Sequence, residues 1–279
     1  MKEWDFVIKP SKKWLDIDFN EIFWNRDLIY LFIKRDFVVF YKQTILGPLW
    51  YIIQPLVNTV IFTIIFGNLA KISTDGTPPF LFYLSGTITW GYFANSLNAT
   101  SNTFIKNAGL FSKVYFPRLS IPIANTIFCL VQFAIQFLIF IGFYFYFTFH
   151  GFEAKINLLI VLLPILLLQT ALLSLGFGIL ISSLTTKYRD LTFAMSFGVQ
   201  IWMYLTPIVY PLSIIPEKYQ IFAAFNPMTS VVELFRLSFF GTSAIQPLHI
   251  AISIVITLFV FFIGIINFKK VEKNFVDTI

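Results

Sequence analysis

The amino-acid sequence predicts an all-α integral membrane protein. It has six transmembrane helices, an N-terminal amphipathic interfacial helix, and two short re-entrant helices between spans 5 and 6. Three observations predict this fold. Only 12% of the 279 residues are charged, against about 25% in an ordinary soluble domain. Apolar residues make up 57% of the chain, lie in long runs and raise the mean hydropathy to +0.78. Lysine and arginine crowd into alternate connections between those runs. Together these exclude disorder, a disulfide scaffold and a water-soluble core. The chain reads as one domain, with an arm at 1–48, a six-span core at 49–268 and a tail at 269–279.

A helix that crosses a bilayer needs about 20 mostly apolar residues. Segments 49–70, 80–104, 121–148, 156–186, 191–211 and 247–268 qualify, and none contains Asp, Glu, Lys or Arg. The second is the most polar. Its end runs from Asn95 to Thr103 through Ser96, Asn98, Thr100, Ser101 and Asn102, so it leaves the hydrocarbon or faces a wet cavity. Six spans put both termini on one side. With that side cytoplasmic, the inner segments hold 16 of the 20 basic residues and 10 of the 14 acids, which satisfies the positive-inside rule. The net charge of +6 is then a topology signal, with anionic lipid as a second use and nucleic acid not a partner.

Residues 20–46 carry charges in pairs, Arg26-Asp27 and Lys34-Arg35-Asp36, then Lys42, between apolar residues such as Leu28, Phe32 and Phe37. This pattern reads as an amphipathic helix lying in the cytoplasmic interface. Gly47-Pro48 breaks the chain before the first span. The outer connection, 212–246, is too apolar for a water-exposed loop, and its apolar pieces are too short to span. Two re-entrant helices near 216–225 and 228–240 fit it, with Asn226-Pro227 as the turn between them.

Several function classes are disfavoured. The spans lack Asp, Glu, Lys and Arg, which argues against proton coupling, although sodium coupling through backbone carbonyls stays open. There is no G-x-x-x-x-G-K-[ST] sequence for a P-loop, so uphill transport needs energy from another polypeptide. Cys129 is the single cysteine, and His150 and His249 stand far apart, so neither an internal disulfide nor a structural zinc site is expected. Glu153, Asp190, Glu217 and Glu233 are scattered without paired spacing, which is poor material for catalysis. Glu233 and Arg236 read as a local i,i+3 ion pair.

The polar residues of the spans form stripes. Tyr51, Gln54 and Asn58 share one face. Ser85, Thr89, Tyr92, Ser96 and Thr103 share another, with Asn95, Asn98 and Asn102 beside them. Asn125, Gln132 and Gln136 form a third stripe, and Phe193, Phe197, Gln200 and Tyr204 a fourth. Each stripe can serve helix–helix hydrogen bonding. Four uncharged amide, hydroxyl and aromatic faces also suit a sliding sugar. Amides pair with hydroxyls, rings pack on C–H faces, and no charge holds the sugar still. Aromatic girdles at the bilayer surfaces compete as an explanation for many of the rings.

Four stretches carry a family resemblance. They are Arg35-Asp36 with Tyr41 to Trp50 and Gln54-Pro55; Leu110 to Arg118; Lys187-Tyr188-Arg189-Asp190-Leu191; and Thr206 to Pro211 through Asn226-Pro227-Met228. In order and spacing the chain resembles the membrane subunit of type-2 ABC exporters for bacterial cell-surface polysaccharide, the O-antigen, teichoic acid and capsule permeases. The resemblance implies a multi-pass protein of the bacterial inner membrane. It implies a homodimer bound to two cytoplasmic ABC ATPase subunits, with ATP and Mg in the partner and no cofactor or catalytic residue in this chain. The implied cargo is a lipid-linked polysaccharide, carried on undecaprenyl pyrophosphate for O-antigen, the cargo the reading favours.

By the same resemblance the 105–120 segment is the coupling helix, with Lys106, Lys113, Phe116, Pro117 and Arg118 toward the ATPase. Arg35, Lys42 and Arg189 are candidates to attract pyrophosphate at a lateral lipid gate. Pro211, Asn226 and Pro227 mark an outer gate. The expected glycan channel is Tyr51, Gln54, Asn58, Trp90, Tyr92, Phe193, Phe197, Gln200 and Tyr204. The rivals are a type-2 exporter of teichoic acid, capsule, or a small drug or lipid, and, from another class, a membrane-embedded transferase acting on lipid-linked sugars.

Overall fold

The computed structural model describes residues 23–42, 45–111, 113, 116–153, 155–185, 188 and 190–274, and the regular structure among these residues is helical throughout. In chain order the helices are α1 (Arg26–Lys42), α2 (Trp50–Phe62, carried on by π-helical turns to Leu69), α3 (Pro79–Ser101), α4 (Thr103–Phe111) and α5 (Ser120–Phe149). They continue with α6 (Leu163–Thr185, entered through a 3-10 turn at Leu158–Leu162), α7 (Leu191–Leu205), α8 (Glu217–Ala224), α9 (Pro227–Phe240) and α10 (Pro247–Asn274).

Four of these are long and apolar enough to cross a membrane: Gly47–Leu69, Ser120–Phe149, Leu158–Thr185 and Pro247–Val271. The sequence predicts six, and the other two each miss one requirement. α7 has 15 residues and is only about 22 Å long, short of a hydrocarbon core about 30 Å thick. α3 has the length but is too polar. Its surroundings explain the polarity, because most of α3 is buried against other helices, and a helix with little lipid-facing surface can spend its side chains on its neighbours.

Those contacts are hydroxyl-rich. Ser174 of α6 donates to Ser96 of α3 (2.9 Å), and Ser96 donates to Thr126 of α5 (3.2 Å), so three helices meet on three hydroxyls. Thr59 of α2 lies 3.0 Å from Thr87 of α3. Such groups find partners across helices because the hydrocarbon offers none. Where α6 crosses α10 the backbones nearly touch. A Cβ added at Gly176 would lie 2.7 Å from Phe261 Cα, and one added at Gly264 would meet the Gly176 carbonyl. Only glycine permits that approach.

Pro55 shows how a sequence feature in one helix sets the demand on another. Proline has no N–H, so the carbonyl of Tyr51, four residues back, loses its helical donor. Gln136 of α5 replaces it, donating Nε2–H to Tyr51 O at 3.0 Å. The replacement of Gln136 by Leu is expected to destabilise the domain by about 1–3 kcal/mol, the usual range for an orphaned buried acceptor. A denaturant titration of the purified protein measures this, and an unchanged midpoint rules the pairing unimportant.

The two short outer helices occur at 217–224 and 227–240, where 216–225 and 228–240 are expected. They differ sharply in burial. α9 is buried over 13 of its 14 residues, packed on α3, α6 and α10. Phe235 and Phe239 pack edge-on into an aromatic cluster with Phe140 and Tyr144 of α5, and Tyr144 Oη donates to Phe239 O. α8 keeps Glu217, Lys218, Tyr219, Ile221 and Phe222 exposed.

Candidate functional site

At the inner end, α1 and the segment leading into α5 form one body. Phe32 of α1 meets Phe116 at 5.7 Å between ring centroids, and Phe116 stacks on Phe111 of α4 at 5.6 Å. Phe104, Phe111, Leu119, Ile179 of α6 and Phe268 of α10 complete the cluster. The sequence placed Phe116 with the residues facing a partner. Its ring is instead buried here, because an aromatic side chain beside two others is worth more in contact than in water. Arg118 is half-buried, with its guanidinium 5.5 Å from the Phe111 ring, and Pro117 is half-buried beside it. Lys106 and Lys113 are exposed. The exposed cations of this segment, among the described residues, are thus the two lysines, above an aromatic foundation.

Of the cations expected near a lipid headgroup, Arg35 lies over the Phe32 ring at 5.0 Å and pairs with Asp36 at 2.8 Å. Lys42 is exposed at the end of α1. Arg189 lies outside the described residues.

The nine expected channel residues fall into three environments. Tyr51 and Gln54 line a cleft of about 520 Å³ between α2, α3 and α5, together with Asn95, Asn98, Gln132 and Gln136. Trp90 and Tyr92 lie in the core: Trp90 packs on Phe93 and Trp202, and Tyr92 on Phe133. Two residues apart on a helix point about 200° apart, so they fill separate cores, and neither presents a free face within one chain. Asn58 on α2 and Phe193, Phe197, Gln200 and Tyr204 on α7 are exposed, Phe193 to 81% and Phe197 to 66%. Along α7 only Val199 is fully buried, and the α2 span has 6% of its residues buried against 28–33% in the other three long spans. These two helices hold large outward faces of mixed aromatic, aliphatic and amide character.

The outer end contains what the sequence reading missed. Glu233 and Arg236 are both 2% exposed, so the pair is no surface ornament. Arg236 Nη1 donates to Glu233 Oε1 at 3.1 Å and to the carbonyl of Pro207, while Nη2 donates to Ile208 O at 2.9 Å. The guanidinium lies 3.6 Å from the Phe82 ring centroid, and Glu233 Oε2 accepts from Ser243 at 2.7 Å. One arginine therefore ties α9 to the α7–α8 connection and to α3. Gly86 makes room for it, since a Cβ there would sit 3.0 Å from Nη2. A pointer existed in the sequence. Two opposite charges inside an apolar half-helix between prolines must pair when buried, and a planar five-donor group beside interrupted helices will collect their loose carbonyls.

Asn226 is a second tie. Its Oδ1 accepts from Met228 N–H, capping α9, and from Trp202 Nε1–H at 2.9 Å. Its Nδ2 donates to Thr206 Oγ1 at 2.8 Å. Pro211 and Pro227 are both buried. The three residues expected at an outer gate therefore belong to the packed side of the outer connection.

A bundle with four helices long and apolar enough to cross a membrane, an N-terminal arm packed on the 103–119 connection and two short helices at its other end is the architecture of a multi-pass membrane protein. The chain matches the ABC-2 type transporter family over residues 27–240 and belongs to it. An O-antigen export system permease protein RfbA of Klebsiella pneumoniae is 28% identical over 251 residues, covering 90% of this chain and 94% of that protein. An RfbA of Myxococcus xanthus is 23% identical, covering 79% and 83%. The polysialic acid transport protein KpsM of Escherichia coli is 25% identical, covering 82% and 87%.

Proposed function

We propose that this chain is the permease subunit of an ATP-driven exporter of cell-surface polysaccharide, with lipid-linked O-antigen as cargo. The observation that carries the reading is the inner body. α1, the 103–119 connection and the ends of α6 and α10 share one aromatic cluster that carries Lys106 and Lys113 on its exposed side. A partner that pushes on the lysines moves the arm with them, because Phe32 and Phe116 are in contact. The chain's likeness to O-antigen permeases over nine-tenths of its length supports the cargo.

In this proposal the chain crosses the inner membrane six times with both termini cytoplasmic. α3 is a crossing shielded by its neighbours, and α7 is completed by the apolar residues that follow it. Two copies pair, and the outward faces of α2 and α7, with Asn58, Phe193, Phe197, Gln200 and Tyr204, bound the path between them. The exposed apolar residues of α1, Tyr30, Leu31 and Phe37 among them, and Trp24 just before it rest in the cytoplasmic leaflet. Lys42 and Arg35 offer charge-assisted contacts to an entering pyrophosphate. ATP and Mg are held by a separate ATPase subunit, whose nucleotide state shifts the permease between two conformations. At the outer end, α9 is anchored by Arg236 and α8 is the element that swings.

Deleting the protein from its host is expected to remove the surface polysaccharide while lipid-linked polymer accumulates inside, and an unchanged coat refutes the cargo. Charge reversal of Lys106 and Lys113 together is expected to cut export by roughly tenfold or more, since each reversal turns attraction for an acidic partner surface into repulsion. Co-purification of the ATPase checks this. Unaltered complex and export removes the docking assignment.

A further inference from the structure

The cleft between α2, α3 and α5 has a composition that packing within the chain does not account for. The carboxamides of Gln54, Asn95 and Asn98 line it and make no side-chain hydrogen bond among the described residues. Asn95 is exposed in a helix that is otherwise mostly buried. The hydroxyls on the same helix behave differently. Ser85, Thr89, Ser96 and Thr100 all have partners inside the bundle. The amides of α3 alone are left facing an opening, in a part of the molecule where an unpaired polar group is costly.

We infer that this cleft is a binding subsite for neutral sugar units within a single subunit. The inference rests on the exporter reading and deepens it by adding Asn95 and Asn98 of α3 to Tyr51 and Gln54 as sugar contacts in one cleft. The chemistry selects the occupant. A carboxamide offers both donors and acceptors, and its complement is a ligand that does both, as a hydroxyl does. Trp50 and Phe128 supply flat apolar walls for the C–H face of a ring. Among the described residues no charged side chain lines the cleft, so a phosphate finds no counter-charge in that lining. A hydrocarbon chain or apolar drug leaves the amides unpaired, which sites of this kind penalise strongly. At about 520 Å³ the cleft lies within the usual range for small-molecule sites of about 300–1,000 Å³, room for a few ring units. Lack of charge also keeps residence short, as passage of a polymer requires.

The test uses the full exporter in living cells. p-Benzoylphenylalanine replaces Phe128 in the cleft, and in a parallel strain it replaces Leu138, which is 71% exposed on the outward side of the same helix. After illumination the purified chain is probed for covalently attached carbohydrate by periodate oxidation and hydrazide tagging. The expected result is a carbohydrate adduct from the Phe128 position at roughly tenfold or more the level from Leu138. Combining Asn95→Leu with Gln54→Leu, which nearly keeps volume and removes two exposed, unpaired amides, is expected to lower both adduct and export by roughly tenfold or more with the amount of folded protein unchanged. Equal labelling at the two positions, adducts with lipid alone, or full export by the double variant overturns the subsite. These outcomes are separate from failure of the exporter reading, which shows as an unchanged polysaccharide coat in cells lacking the chain.

Discussion

Replacing Arg236 by Met is expected to destabilise the domain by about 3–5 kcal/mol, because it strands the Glu233 carboxylate in a dry interior. The carboxylate keeps Ser243 as a donor but loses its counter-charge, and the carbonyls of Pro207 and Ile208 lose their donors together. Glu233→Gln is expected to cost less, since an amide oxygen still accepts from Arg236. The double variant is expected to be more stable than Arg236→Met alone, as the uncompensated charge is then gone. Unfolding of the purified complex by graded denaturant distinguishes these cases. Equal stability of Arg236→Met and the parent overturns the account of Arg236 as the anchor of the outer helices. A functional corollary is that proteins surviving the change should export poorly, with α9 no longer held to α3.

The second large effect is expected at the α6–α10 crossing. Gly176→Ala sets a methyl group against the backbone of Phe261 at 2.7 Å, and backbone cannot step aside as a side-chain tip can. Overpacking of this kind costs about 1–3 kcal/mol and more when the neighbour is rigid, so about 3 kcal/mol is the expected loss. Gly176→Leu is expected to prevent assembly of the bundle. Gly142 and Gly198 are controls built into the same protein. Nothing lies within 4 Å of a Cβ at either, and alanine there should be neutral or stabilise by about 0.4–1 kcal/mol through the unfolded chain. Size-exclusion behaviour and denaturant midpoints of the four variants measure the contrast. Similar midpoints for Gly176→Ala and Gly142→Ala would show the crossing to be slack.

How much of this was legible in the sequence follows the locality of the physics. The long apolar helices and the two short outer ones lie close to their expected bounds, because hydrophobicity accumulates residue by residue and proline punctuates locally. Span lengths at α3 and α7 were less legible. Whether a polar or short helix crosses a bilayer depends on what shields it, and that is decided by other parts of the chain. The stripes show the same divide. Spacing grouped Ser96 with Tyr92 and placed Asn95 beside them, but only the packed structure separates Ser96, bonded between α6 and α5, from Asn95, facing an opening.

The candidate site divides likewise. Lys106 and Lys113 were readable as an exposed basic segment, whereas Phe116 in the same segment turned inward to Phe32 and Phe111. Trp90 and Tyr92 shared a candidate list with Tyr51 and Gln54, yet the bundle buries the first two and opens the second two. Glu233 and Arg236 read as a minor local pair, because i,i+3 spacing says nothing about burial or about the carbonyls of Pro207 and Ile208 some thirty residues away.

By itself the sequence determined that this chain lives in a membrane, where most of its helices begin and end, and which connections carry positive charge. These depend on transfer between water and hydrocarbon, a nearly additive property of consecutive residues. Only the tertiary structure decided which polar groups are spent on holding helices together and which remain for a ligand. A hydrogen bond in hydrocarbon is settled by what lies opposite, and what lies opposite Gln136, Asn95 or Arg236 is distant in the chain.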